Sequence, residues 1–276
     1  MTDVSRRAFR IAYDGRPFHG FQRQPDVATV SDAILDALAD LEVFDTSAND
    51  VPPGYAAAGR TDAGVSALAQ TVAFDCPEWL SPAAFNSELP ADVRAWASAE
   101  APAEFHATHD AVAREYTYHL HAPDASLSRA TEALDALDGE HDFHNFTPDD
   151  TGTVRDLSRD LRREGDFLVV TLRADGFPRQ FVRRAVTVID AVASGVAELD
   201  RIEWLLGDEP VDGPAGVAPA APEALVLTAV EYPGLSFERD ESALASARAI
   251  FETKAIDHRT NARVASTIAD GIDQEE

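Results

Sequence analysis

The sequence predicts an α+β fold with antiparallel sheets, and three observations carry that prediction. Strand-like runs alternate apolar and polar residues, amphipathic helical runs lie between them, and the order β-α-β-β-α-β of the first half recurs in the second. The architecture implied is two ferredoxin-like (RRM-like) units. At 276 residues the chain is long enough to bury one large core or two small ones. A boundary near 105–112 gives units 1–108 and 109–265, followed by an acidic tail, 266–276, whose last four residues are expected to be disordered.

Residues 8–14 alternate, with Phe9, Ile11 and Tyr13 on one side of a half-buried strand. A loop with Gly15, Pro17, Gly20 and Pro25 follows. Val30, Ala33, Ile34, Ala37, Leu38 and Leu41 then recur at helical spacing behind Thr29 and Asp32, which form a capping box. Residues 55–58 and 70–75 read as strands on either side of a glycine-bracketed turn, Ser81-Pro82 opens a helix, and 93–99 is a strand. In the second half 113–121 alternates as a strand and 127–137 is an amphipathic helix closed by Gly139. Residues 154–163 and 167–174 pair as a hairpin around Gly165. Phe181, Ala185, Val188, Ile189 and Val192 share a helical face until Gly195 stops it. A short helix at 199–206, a Pro/Gly/Ala loop at 208–222, a strand at 225–232 and a C-terminal helix complete the chain.

Cys76 is the only cysteine, so no internal disulfide is possible; the N-terminus has no apolar leader, and no run of about 18 apolar residues spans a membrane. A cytoplasmic setting is expected. The formal charge of −26 argues, taken alone, against a nucleic-acid partner. Yet Lys254 is the only lysine, and acids and alanines are spread along the whole chain, a pattern suited to concentrated salt. At about 1 M salt the Debye length is about 3 Å, so surface carboxylates and phosphates hardly repel one another. Contact with phosphate then needs only local positive charge. Residues 155–184 hold eight arginines against five acids, and residues 1–23 hold five against two. These two islands are the expected phosphate-facing strips.

The segment Gly59-Arg60-Thr61-Asp62-Ala63-Gly64-Val65 displays one carboxylate between glycines and beside a guanidinium, at a tight exposed turn. Three further segments accompany it: Ala12-Tyr13-Asp14-Gly15 with Phe18-His19-Gly20-Phe21-Gln22-Arg23-Gln24, then Arg114-Glu115-Tyr116-Thr117-Tyr118, then Ala174 to Arg183. In this order they resemble the tRNA pseudouridine synthases of the TruA family, over most of the chain. The chain departs from the family at Phe21, where tryptophan is usual, at Ser66, where histidine is common, and at Thr187, where a glycine is usual.

The resemblance implies the pseudouridine synthase fold and conversion of uridine to pseudouridine in the anticodon stem-loop of tRNA, around positions 38 to 40. It implies no cofactor, no metal, and a homodimer whose subunits jointly hold one tRNA. By resemblance Asp62 is the nucleophile, Tyr116 the active-site tyrosine, and Arg183 the basic partner of Asp62. Arg60 holds the target nucleotide out of its stack, as extrusion of a base requires. A guanidinium fixed near a carboxylate favours its ionised, nucleophilic form. His19, Phe21, Gln22, Arg23 and Gln24 form the expected RNA-contacting loop, with Arg155, Arg179 and Arg184 adding phosphate or structural contacts. Without the family, Phe21 reads as a loop anchor packed on the core, and Tyr116 and Tyr118 cannot be told apart.

Two other functions use the same residues. A nucleoside or glycoside hydrolase would also use Asp62 but needs a second placed carboxylate, which no comparable motif supplies. A non-catalytic RNA-binding module would keep the sheets and not need Asp62. His119 with His121, and His141 with His144, lack the cysteine or carboxylate company of a zinc site.

The charge pattern fixes a first expectation. Melting temperature and turnover rise together from about 0.1 M toward molar KCl, as the Debye length shrinks from about 10 Å to about 3 Å. Activity that peaks in dilute buffer and decays monotonically with salt refutes the halophilic reading.

Overall fold

The computed structural model describes residues 4–211 and 213–272. In chain order the elements are β1 (Val4–Tyr13), α1 (Val30–Asp40), β2 (Ala56–Ala57), β3 (Ser66–Pro77), α2 (Pro82–Phe85) and β4 (Val93–Glu100). β5 (Ala113–His121), α3 (Leu127–Asp135), β6 (Gly139–Asp142), β7 (Val154–Glu164), β8 (Phe167–Ala174) and α4 (Phe181–Ala193) follow. α5 (Asp200–Leu205), β9 (Leu225–Glu231), β10 (Glu238–Arg239) and α6 (Glu241–Ile272) end the chain. The α+β class and mostly antiparallel pairing agree with expectation.

The strands lie in the order β10-β4-β1-β3-β9-β5-β8-β7-β6, with β2 paired to β3. The sheets of the two halves are thus joined edge to edge. The join is β9, which pairs in parallel with β3 (Ser66↔Val226, Ala67↔Leu227) and antiparallel with β5 (Tyr116↔Leu227). Leu227 therefore has the strand that leaves the Asp62 turn on one side and Tyr116 on the other. The strand expected at 70–75 begins earlier, at Ser66, because its first residues are the ones that β9 pairs.

Local chemistry explains the helices that flank the sheet. Thr29 caps α1: its hydroxyl accepts from the Asp32 N–H at 3.2 Å and donates to the Asp32 carboxylate at 2.5 Å. Ser81 caps α2, with proline in its first turn. The first core gathers α1 (Ile34, Leu38) against Phe9, Phe74 and Phe85; the Phe9 and Phe74 rings stack at 5.2 Å. The second packs α3 and α4 on β8 through Leu134, Ile189, Leu168 and Val170, with Phe143, Phe146 and Phe181 interlocked at one end. Each fully buried Leu, Ile or Phe contributes about 1.5–3 kcal/mol relative to exposure.

The long helix α6 begins on Asp240, whose carboxylate accepts from the Ser242 and Ala243 N–H groups at 3.0 Å. Ala243 and Ala247 are its buried residues. It runs along β4 as far as Lys254; residues 255–272 are exposed, so 266–272, grouped above with the tail, continue the helix. Residues 273–276, expected to be disordered, lie outside the described residues. Lys254 ion-pairs with Asp92 and, at 3.1 Å, with Asp14, which Arg16 also holds at 2.7 Å. Asp14 follows the last residue of β1, so this cluster pins the edge of the sheet from which the Asp62 turn projects.

Burial opposes the charge of Asp14, but hydrogen bonds from Arg16 and Lys254 outweigh it and hold the carboxyl down at about 2. The folded value lies below the unfolded one, about 3.9, so this stabilisation is present above that pH and is lost as pH falls toward 2. Lys254→Met is expected to cost about 1 kcal/mol at neutral pH, since the cluster is partly solvated and Arg16 remains. Melting curves of both proteins should converge as pH falls through about 2; a difference that persists undiminished at about pH 1 contradicts the assignment.

Candidate active site

The turn that carries Asp62 is short, and two glycines make it possible. A Cβ on Gly15 would lie 2.0 Å from the Val65 carbonyl oxygen, so only glycine lets the end of β1 pass beneath the turn. Gly64 has φ +83°, in the left-handed region. The turn is closed by Val65 N–H donating to the Asp62 carbonyl at 3.2 Å and sewn to the 15–25 loop by Phe21 N–H donating to the Thr61 carbonyl at 3.0 Å.

Asp62 projects into an open cleft of about 1280 Å³. Its carboxylate accepts from Arg183 Nη1 at 2.7 Å. The two groups are 121 residues apart in sequence and come from different halves of the chain. Arg183 stands in the first turn of α4, its side chain 12% exposed, and its Nε donates to the Ala220 carbonyl at 2.7 Å. That second bond fixes the guanidinium plane, so it acts as a preset counter-charge rather than a mobile one. The Asp62 carboxylate remains 31% exposed, open on the side away from Arg183.

Tyr116 lines the same cleft, its ring packed edge-on against Phe177 at 5.4 Å. Burial, with the Asp62 charge adding to it, pushes its hydroxyl up to about 12 against the opposing effect of Arg114. The phenol is therefore neutral at working pH and available as a donor. The ambiguity between the two tyrosines is resolved by their contacts. Tyr118 is 4% exposed and its hydroxyl donates to the Ala221 carbonyl at 3.0 Å, behind the cleft.

Of the other residues singled out in sequence, His19, Phe21, Gln22, Gln24, Arg60 and Arg179 line the cleft with Asp62, Tyr116 and Arg183. Arg60 is exposed on the wall. Gln24 donates to the His19 carbonyl at 2.7 Å, closing its loop on itself. Phe21 is 4% exposed and packs near Tyr13 with ring centres 6.3 Å apart, so its ring anchors the loop. Arg23 turns to Asp32 of α1 at 2.8 Å. Arg155 holds the 175–176 turn through the Gly176 carbonyl at 3.0 Å, and Arg184 binds the Val217 carbonyl and Gln180.

The two arginine islands are correspondingly narrower than the sequence suggests. In the first, Arg6, Arg7 and Arg10 reach inward to the carbonyls of Phe105, Leu80 and Val230. In the second, Arg159, Arg162 and Arg173 pair with Asp135, Glu164 and Glu231, and Arg163 binds the Ala122 carbonyl. Strand alternation sends neighbouring arginines to opposite faces, where nearby carboxylates and carbonyls take them up. Among the described residues, Arg60, Arg179 and Arg183 are the arginines that line the cleft.

Sequence reasoning gave no role to Arg114. Its guanidinium donates to the carbonyls of Ala58 at 2.9 Å, Thr108 at 2.6 Å and Asp175, tying together the chain before the Asp62 turn, the connection between halves and the chain before α4. Contacts to backbone carbonyls leave no trace in residue pattern. Among the described residues, no three His, Cys, Asp or Glu side chains are gathered as a metal ion requires.

Comparison with known proteins gives the family. Residues 133–233 match the family described as tRNA pseudouridine synthase. A tRNA pseudouridine synthase A of Halobacterium salinarum is 58% identical over 268 residues, 96% of this chain and 99% of its own length. The chain belongs to the tRNA pseudouridine synthase A family. The protein of that name from Haloarcula marismortui is 57% identical over 275 residues, covering 96% of this chain and 100% of its own. The one from Methanosarcina acetivorans is 38% identical over 232 residues, covering 82% and 84%. A crystal structure of a Cbf5-Nop10-Gar1 complex aligns with 68% of this chain and 44% of that one, at 10% identity and TM-score 0.37, too distant to carry weight.

Arg183→Leu removes the counter-charge of Asp62 and its tether to Ala220 together. Turnover is expected to fall at least about tenfold, a loss of at least about 1.4 kcal/mol of transition-state stabilisation. Measured turnover within twofold of the parent protein means that Arg183 is not the working partner of Asp62.

Proposed function

We propose that this member of the tRNA pseudouridine synthase A family isomerises uridine to pseudouridine in the anticodon stem-loop of tRNA, around positions 38 to 40, with Asp62 as the catalytic nucleophile. The single observation that carries the reading is the Asp62 carboxylate, fixed at 2.7 Å from a tethered Arg183 guanidinium at the edge of an open cleft. The reaction breaks the bond from uracil N1 to ribose C1′ and forms one from C5 to C1′. The C5 proton leaves and N1 gains one, so atoms and electrons balance within substrate and solvent.

Three roles suit Asp62: attack on C1′, attack on uracil C6, or removal of a ribose proton. Each needs an ionised carboxylate held beside an extruded nucleotide. Arg183 supplies the charge, Tyr116 a flat wall for the uracil and a neutral hydroxyl, and Arg60 the cation that occupies the vacated stack or meets the flipped phosphate. His19, Gln22, Gln24 and Arg179 contact neighbouring nucleotides, while Phe21, Arg23, Arg155 and Arg184 hold the surrounding backbone. The unit 1–108 contributes the Asp62 turn and 109–265 contributes Tyr116 and Arg183, so the site belongs to their seam. The working form is a cytoplasmic homodimer sharing one tRNA; no helix among the described residues is long and apolar enough to cross a membrane.

A hydrolase reading finds less support. Among the described residues Asp62 is the only carboxylate that lines the cleft, whereas glycoside hydrolysis uses two.

Asp62→Asn keeps the shape of the side chain and removes its charge. Pseudouridine formation is expected below about one per cent of the parent rate, equal to about 2.7 kcal/mol or more, with tRNA affinity changed little. Residual turnover above that level sinks the nucleophile assignment. Release of free uracil by the parent enzyme identifies a hydrolase, and binding without turnover in the parent protein a passive RNA-binding module.

A further inference from the structure

The floor beneath the Asp62 turn is polar as well as buried. Tyr13, Thr61 and Gln70 are 1%, 7% and 0% exposed. The Tyr13 hydroxyl and Thr61 Oγ1 lie 2.8 Å apart in a hydrogen bond that either can donate. Gln70 Nε2 donates to the Gly59 carbonyl at 2.9 Å, and its Oε1 accepts from the Thr71 N–H at 3.1 Å. The two contacts land on residues 59 and 61, on either side of Arg60 and one residue short of Asp62. Both originate in the sheet: Tyr13 ends β1, and Gln70 lies in β3, where it pairs with Ile11 of β1.

Besides these contacts the turn is held by backbone bonds from Val65 and Phe21 and by the Asp62–Arg183 pair. Between Gly59 and Gly64 the side chains are those of Arg60, Thr61, Asp62 and Ala63, and Thr61 is the one that is buried. The glycines at both ends add backbone freedom that the Asp62–Arg183 pair alone does not remove. A misplacement of about 1 Å at a reacting group costs about 10²-fold in rate.

We propose that Tyr13, Thr61 and Gln70 form a buried polar strut from sheet to turn, and that Tyr13 and Thr61 are positioning residues which aim the Asp62 carboxylate at the target nucleotide. This rests on the reading of Asp62 as the nucleophile. A polar cluster that merely completed the core would matter for stability alone, and the two roles part company when both members of the hydrogen bond are removed. Removing one leaves a buried polar group unpaired, whereas replacing both with apolar groups of like shape is nearly neutral for folding.

The experiment compares Thr61→Val, Thr61→Ser, Tyr13→Phe, the double variant Tyr13→Phe/Thr61→Val and Asp62→Asn with the parent enzyme in molar KCl. Single-turnover rate at saturating tRNA transcript, tRNA affinity and melting temperature are measured for each. Thr61→Val is expected to lower the rate at least tenfold with affinity within twofold, and Thr61→Ser, which keeps the hydroxyl, to restore it to within threefold. The double variant should regain the melting temperature lost by either single change and still react as slowly as Thr61→Val. Recovery of rate together with melting temperature in the double variant, or a Thr61→Val enzyme as fast as the parent, overturns the strut. The Asp62→Asn arm separates the two claims: activity there refutes the nucleophile reading, whereas inactivity there with a fast Thr61→Val refutes the strut alone.

Discussion

The backbone of β9 is hydrogen-bonded on both sides, to β3 through Val226 and Leu227 and to β5 from Leu225 to Glu231. A strand in this position cannot shift by one residue without inverting its faces and breaking two ladders at once. Everything at the site inherits that constraint. β3 leaves the Asp62 turn from one side of β9 and β5 carries Tyr116 on the other, so the sheet fixes the two strands and the contacts of Tyr13 and Gln70 carry its order into the turn. Arg183 then closes the arrangement from α4, and Arg114 binds three backbone segments that would otherwise be free to separate. Loops bear the reactive groups, but the sheet determines where they stand.

The distribution of charge follows a different logic. The chain is strongly acidic, yet its guanidinium groups are largely turned inward, donating to carbonyls at Phe105, Leu80, Val230, Ala122, Val192 and Ala220. Arginine suits this use because its planar fork offers five donors and is less strongly hydrated than an ammonium. Acids remain outside, where water and salt solvate them. Among the described residues, the arginines that line the cleft with Asp62 are Arg60, Arg179 and Arg183, while Arg239, Arg248, Arg259 and Arg263 are exposed elsewhere, on β10 and α6. At high ionic strength, diffuse attraction contributes little, and recognition depends on short contacts inside the cleft.

Much of this was legible in the residues. The caps at Thr29 and Ser81, the alternation at 113–121 and the glycine-bracketed Asp62 all report local requirements, which sequence encodes directly. The strands β6 and β10 escaped because four and two residues of polar, half-exposed chain carry no period to detect. The place of β9 between β3 and β5 was equally invisible, since pairing partners are a property of the whole sheet. The arginine islands misled for a related reason: composition counts charges, while strand alternation and nearby carboxylates decide which of them reach the cleft. Tyr116 and Tyr118 are alike in pattern and differ only in their surroundings, a free wall for one and the Ala221 carbonyl for the other.

The sole lysine has a practical corollary. Because Lys254 is the only lysine, the chain offers amine-directed reagents one side-chain target besides its N-terminus, and that amine is engaged by Asp14 and Asp92 where α6 meets the end of β1. Acylation requires the neutral, unengaged amine, so the rate at which Lys254 is labelled measures how often its ion pairs with Asp14 and Asp92 open. A chemical stopwatch for motion at the border of the active site is thus built into the composition of the protein.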